Sequence, residues 1–263
     1  MTNEPGRMSR ALRFAAVATV MTAGMWVQTS PSFAATNLYA SPGFDASYPQ
    51  GSATGVPSGF GIIGVTHGRP FTSDSSASSL WNFTMQNSSP NGSLYFNTGY
   101  ALAYGKVETS NCVTASAGYQ VPGSGHQLSV LQQAWAIGCS EADYAVTLEP
   151  GIPSMWWADI ETGHSWSKNT SINDATITGM VSELGIVAKG IPVGVYSTAS
   201  MWNTIAGSSY ANASIVADWG AGNATCPSSG FTLLSTGFPA PLWLEQTGTV
   251  LAGGATFDAD TAC

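Results

Sequence analysis

Short apolar runs, each rich in β-branched or aromatic residues, recur along this chain with helical patterns between several of them. The clearest is Met155-Trp156-Trp157-Ala158-Asp159-Ile160-Glu161, which reads as a buried strand ending in two carboxylates. Further strands are expected over 38–46, 60–66, 93–97, 192–197, 214–218, 231–234 and 242–246. Helices are expected over 78–86, 127–137, 140–148 and 200–205. Another is expected to start at a capping-box-like Ser171/Asp174 and to stop before Gly190 and Pro192. Strands alternating with helices predict a parallel sheet, and this many in one domain predict a closed barrel. The expected fold class is therefore α/β, a single irregular TIM-type (β/α) barrel. Its irregularity follows from helices that are short or missing late in the chain.

The first 34 residues read as a secretory signal. Arg7, Arg10 and Arg13 precede an apolar run from Phe14 to Val27, and Ser32-Phe33-Ala34 offers a small-x-small cleavage site. The barrel domain is then 35–263, with a secreted destination. Cleavage after Ala34 removes three arginines and Glu4, which moves the formal charge from −8 to −10. Only Arg69, Lys106, Lys168 and Lys189 remain as cations, which argues against nucleic-acid binding and against attraction to anionic membranes. Cys112, Cys139, Cys226 and Cys263 are an even set in an exported chain and read as two disulfides. Of three possible pairings, the sequence-local one is expected, Cys112 with Cys139 and Cys226 with Cys263. The first bridge would pin an excursion after the third strand. No metal-ligand spacing of cysteines or histidines occurs, and no metal or cofactor is expected. His67, His126 and His164 read as loop histidines.

Side chains at i and i+2 of a strand face one way, so Asp159 and Glu161 share a side. Like charges held close raise at least one pKa, and one carboxyl can then serve as general acid while its neighbour stays ionised. A glycosidic bond is cleaved by such a pair. A barrel places its chemistry at strand C-termini. Those ends carry Asp45, Thr66-His67, Asn97, Asp159 and Glu161, Tyr196-Ser197, Asp218-Trp219 and Glu245-Gln246, with Asp258 and Asp260 just beyond. Acids and aromatics concentrated there suit a sugar, whose apolar faces stack on rings.

These residues resemble glycoside hydrolase family 25, the lysozyme or N-acetylmuramidase family. Gly43-Phe44-Asp45-Ala46-Ser47 is similar to its opening motif, Gly61 to Thr66 to its second strand, and Asp159-Ile160-Glu161 to its central D-x-E. Val193 to Ser197 with Trp202, Trp243 to Thr247, and Phe257-Asp258-Ala259-Asp260 are similar to its later motifs. The resemblance spans about 37–263, and its Trp157–Trp166 and Phe257–Cys263 stretches resemble secreted actinobacterial proteins of family-25 type. It implies Glu161 as general acid, Asp159 as the group that orients the substrate N-acetyl, and Asp45 and Asp258 as the rest of an acidic floor. Tyr196, His67, Asn97, Asp218, Trp219 and Gln246 would bind sugar. The implied protein is a monomeric, lysozyme-like hydrolase of peptidoglycan. Its rival is a catalytically silent carbohydrate- or wall-binding barrel. Three departures stand out: His67 where the family tends to carry an acid, Asp260 where it carries Asn, and the cysteine-flanked excursion.

Overall fold

The structure, a computed structural model, describes residues 36–40, 42–87, 91–119, 128–226 and 240–263. The expected signal segment and the strand expected over 231–234 lie outside the described residues.

Eight strands close a barrel in sequence order. They are β1 (Gly43–Ala46), β2 (Phe60–Gly64), β3 (Ser93–Asn97), β4 (Trp156–Asp159), β5 (Val193–Tyr196), β6 (Ile215–Ala221), β7 (Leu242–Ala252) and β8 (Ala255–Ala262). Neighbours from β1 to β7 run parallel, whereas β8 is antiparallel to both β7 and β1. The helices are α1 (Ala77–Asn87), α2 (Ser110–Ser116), α3 (Leu128–Thr147), α4 (Thr170–Val187) and α5 (Ala199–Ile205). The expected irregular barrel is thus observed, with α2 and α3 forming the excursion after β3.

Strand alternation divides the core. Trp156 faces outward and packs with Phe96, Ile177 and Met180 beneath the helices. Trp157 faces inward with Tyr39, Phe60, Ile62 and Trp219. Its indole N–H donates to the Tyr39 hydroxyl at 2.9 Å, and that hydroxyl lies 2.6 Å from Ser93 Oγ. The barrel floor therefore buries large rings without orphaning these polar atoms. Gly194 makes room for this plug, because a Cβ there would meet the Trp157 ring at 2.3 Å. Trp219 sits on Trp157, ring centroids 5.8 Å apart, and Tyr196 and Tyr95 pack on Trp219. Interior side chains thus pass from apolar below to aromatic in the middle, and acids lie above.

Three local expectations need correction. The stretch read as two helices over 127–137 and 140–148 is the single helix α3. Gly138 looked like a break but marks a contact with α4, where a Cβ would lie 1.8 Å from the Thr176 carbonyl oxygen. Helix α4 is capped by Asn169, whose side chain accepts from the Ser171 N–H, so Ser171 is inside the helix rather than its cap. The last strand unit extends beyond 246 into the β7–β8 hairpin, and Asp258 and Asp260 lie within β8. Gly253 and Gly254 turn that hairpin with φ of 55° and 81°, a conformation that favours glycine.

Both expected disulfides are present. Cys112–Cys139 ties α2 to α3, and Cys226–Cys263 ties the chain after β6 to the residue after β8.

Candidate active site

At the C-terminal end of the parallel strands, Asp45, Tyr95, Asp159, Glu161, Tyr196, Trp219, Gln246 and Asp258 line one cleft. Its volume is about 240 Å³. The register explains the convergence. Asn97, Asp159, Tyr196 and Trp219 are successive cross-strand partners, and Asp45 pairs with Asp258.

Asp159 is the most constrained of the acids. Asn97 Nδ2 donates to its Oδ2 at 2.5 Å. The Asn97 amide is itself held, because Thr66 Oγ1 donates to Asn97 Oδ1 at 2.7 Å. The other oxygen of Asp159, Oδ1, is buried with no partner. Beyond β4 the Ser197 hydroxyl donates to the Ile160 carbonyl at 2.8 Å. Trp166 Nε1 donates to the Glu161 carbonyl at 2.9 Å, which fixes the backbone that carries the second acid.

Burial pushes Asp159 well above the usual carboxylate range, and the charge of Glu161 adds to this. Burial also raises Glu161, which stands more open to the cleft. Two such raised groups side by side compete for a proton. The sequence reading credited the raised Glu161 pKa to its charged neighbour. Loss of water is the cause at Glu161, and the mutual repulsion falls on the deeper Asp159.

The opposite wall is built from β1 and β8. Asp45 accepts from Gln246 Nε2 at 3.1 Å, and Tyr196 donates its hydroxyl to Gln246 Oε1 at 3.1 Å. Burial, then the charge of Asp258, pushes Asp45 up to about 7. Asp260 accepts from Trp219 Nε1 at 2.9 Å, and burial and then Asp45 lift its pKa well above the usual range. Burial and repulsion together thus favour a proton on this pair.

Of the residues singled out in the sequence, Asp45, Asp159, Glu161, Asp258, Tyr196, Trp219 and Gln246 meet in the cleft, and Asn97 stands directly behind Asp159. Two do not line it. The His67 ring stacks on Tyr48 at 4.0 Å in the loop after β2. Asp218 is buried one residue before Trp219, and strand alternation turns it away from the interior. Three residues prove closer to the site than their sequence context indicates. Tyr95 shares the face of Asn97 two residues away, a period the sequence did show. Asp260 repeats Asp258 on a strand not recognised as one. His164 reads as a loop histidine in the sequence, yet its Nε2 lies 3.7 Å from Asp159 Oδ2.

Asp159, Glu161 and His164 offer donor atoms within 4.8 Å of one another, close enough to consider a metal ion. The Asn97 amide nitrogen donates to Asp159 Oδ2 and lies 3.2 Å from His164 Nε2, so these two atoms already face a hydrogen-bond donor. Cys112, Cys139 and Glu183 form a second such group, but its sulfurs are joined in a disulfide.

No family model matches the sequence, and no curated protein does either. Solved structures do. A muramidase from Trichobolus zukalii is similar with a TM-score of 0.54 and 18% identity, over 85% of this chain and 94% of that one. A family GH25 lysozyme from Aspergillus fumigatus matches with a TM-score of 0.54 and 15% identity, over 84% and 93%. A modular autolysin from Streptococcus pneumoniae, solved with a synthetic peptidoglycan ligand, matches with a TM-score of 0.52 and 12% identity, over 83% and 46%. The barrel of this chain therefore has the fold seen in family GH25 lysozymes.

Proposed function

We propose that this chain is a secreted glycoside hydrolase that cleaves N-acetylated cell-wall glycan of the peptidoglycan type. Glu161 serves as general acid and the substrate's own acetamido group as nucleophile. The observation that carries the reading is the unlike pair at the end of β4. Asp159 is buried and held on one oxygen, whereas Glu161 is adjacent and open to the cleft.

The place of a proton on the pair gives the mechanism its order. In the empty cleft both carboxyls compete for it. An acetamido N–H donating to the unpartnered Asp159 Oδ1 restores a hydrogen bond that burial removed. Asp159 then ionises more easily, and the proton rests on Glu161. As the acetamido oxygen bonds to the anomeric carbon, the glycosidic bond breaks and Glu161 gives its proton to the leaving oxygen. Water then attacks the same carbon, the acetamido oxygen departs, and the Glu161 carboxylate takes the water's proton. Tyr196 and Trp219 offer the sugar its apolar walls. Asp45, Asp258 and Asp260 supply negative potential for the positive charge that develops at the anomeric centre.

The test is release of reducing ends from purified peptidoglycan and from N-acetylglucosamine oligomers. Release from either supports the reading. Retention of glycan without cleavage would instead make the chain a binding module.

A further inference from the structure

The turn after Glu161 folds back on itself, with the His164 N–H donating to the Glu161 carbonyl at 3.1 Å. This brings the imidazole, whose side chain is only 8% exposed, beneath the cleft. It meets Asn97 there, and the bonding of Asn97 leaves little freedom. Its Oδ1 accepts from Thr66, so its amide NH₂ must point toward Asp159 and His164. One amide hydrogen goes to Asp159 Oδ2, and the second faces His164 Nε2 at 3.2 Å. An NH₂ group only donates, so the imidazole nitrogen opposite it must accept. That requires a neutral ring protonated at Nδ1. Burial favours neutrality by lowering the His164 pKa, and Nδ1 meets no hydrogen-bond partner among the described residues, so the tautomer is set by the Nε2 side alone.

We propose that His164 is a positioning residue for the Asp159 carboxylate. Its Nε2 accepts the second amide hydrogen of Asn97 and so locks the donor that holds Asp159 Oδ2, leaving Oδ1 for the ligand. Three elements meet in this lock: Thr66 after β2, Asn97 at the end of β3, and His164 in the turn after β4. With the imidazole removed, the amide can rotate toward other acceptors, and Asp159 loses its fixed direction. The kinetic consequence rests on the hydrolase reading above, but the hydrogen-bond arrangement does not.

The experiment is therefore in two parts. In the ¹⁵N-histidine NMR spectrum of the native protein, which has three histidines, His164 is expected as the Nδ1–H tautomer with a bare Nε2. An Nε2–H tautomer, the usual preference in water, would overturn the proposal whether or not the protein cleaves any glycan. In turnover assays, His164→Leu should lower kcat about tenfold with KM little changed, the scale of one lost hydrogen bond. His164→Gln should recover much of that loss, because its amide oxygen can accept from Asn97. A folded His164→Leu variant as fast as the parent would leave the lock without a role and overturn the positioning claim. If the parent cleaves nothing, the hydrolase reading fails, and the tautomer alone still decides this inference.

Discussion

The two walls of the cleft solve the same electrostatic problem differently. On the β4 side, Asp159 is held by an amide that carries no net charge and does not titrate. On the β1–β8 side, burial and neighbouring charge raise both Asp45 and Asp260, so that wall depends on protonation. Buried like charges cost free energy unless one of them is neutralised or donors face them. With only four cations beyond the expected signal segment, the chain uses amides, an indole and protons instead. The comparison separates direction from charge. The β4 wall aims a carboxylate, and the β1–β8 wall sets how much negative potential surrounds it.

The comparison breaks most directly at Asp159. Asp159→Asn should reduce turnover by about 10²-fold, the scale of losing one preorganised charge partner in an active site. The alkaline limb of the pH–rate profile should stay close to the parent's, because burial rather than the charge of Asp159 raises Glu161. A pH–rate series on parent and variant checks both. Loss of a disulfide gives the next largest effect. Bridges closing 37 and 27 residues are each worth about 3–4 kcal/mol by loop entropy, so Cys226→Ser/Cys263→Ser and Cys112→Ser/Cys139→Ser should destabilise similarly in denaturant titrations.

Stability against pH sharpens the contrast further. Asp45 rises from 3.8 to about 7 on folding, so its contribution is fully present below the unfolded value and is lost as pH rises through about 7. Thermal unfolding should therefore show a stability that declines from about pH 4 to about pH 7 through this wall. Asp260→Asn supplies an amide donor to Asp45 without needing a proton and should flatten that decline. A slope identical to the parent's would contradict the coupling of Asp45 to Asp260. The smallest effect is expected at His67→Ala. Its ring stacks on Tyr48 outside the cleft, so turnover should be unchanged and stability altered by less than about 0.5 kcal/mol.

The β4 wall was the legible one. A strand of four buried residues ending in D-x-E shows its period in a dozen residues, and Asn97 lies at the end of an equally plain strand. The β1–β8 wall was half hidden. Its closing strand is antiparallel and exposed along part of its length, so Thr256 to Ala262 lacks the continuous apolar run that marks the inner strands. Gly253-Gly254 between β-rich flanks was the signal that could have found the hairpin. Helix α3 was split for a related reason. Gly138 lowers helical propensity, but its role is close approach to α4, which only the packed structure reveals. The place of His164 could not be read at all, because it depends on a turn that folds three residues back onto Glu161.

The central claim is that Glu161 gives the proton that breaks the glycosidic bond. Glu161→Gln keeps the side chain's shape and removes its ability to titrate. Turnover of this variant, measured beside the parent on the same peptidoglycan and with bound N-acetylated oligomer quantified in parallel, tests the claim most directly. The account predicts retained oligomer binding and a loss in turnover of about 10²–10⁴-fold, the usual worth of a general acid. A variant that binds and cleaves as fast as the parent would contradict it.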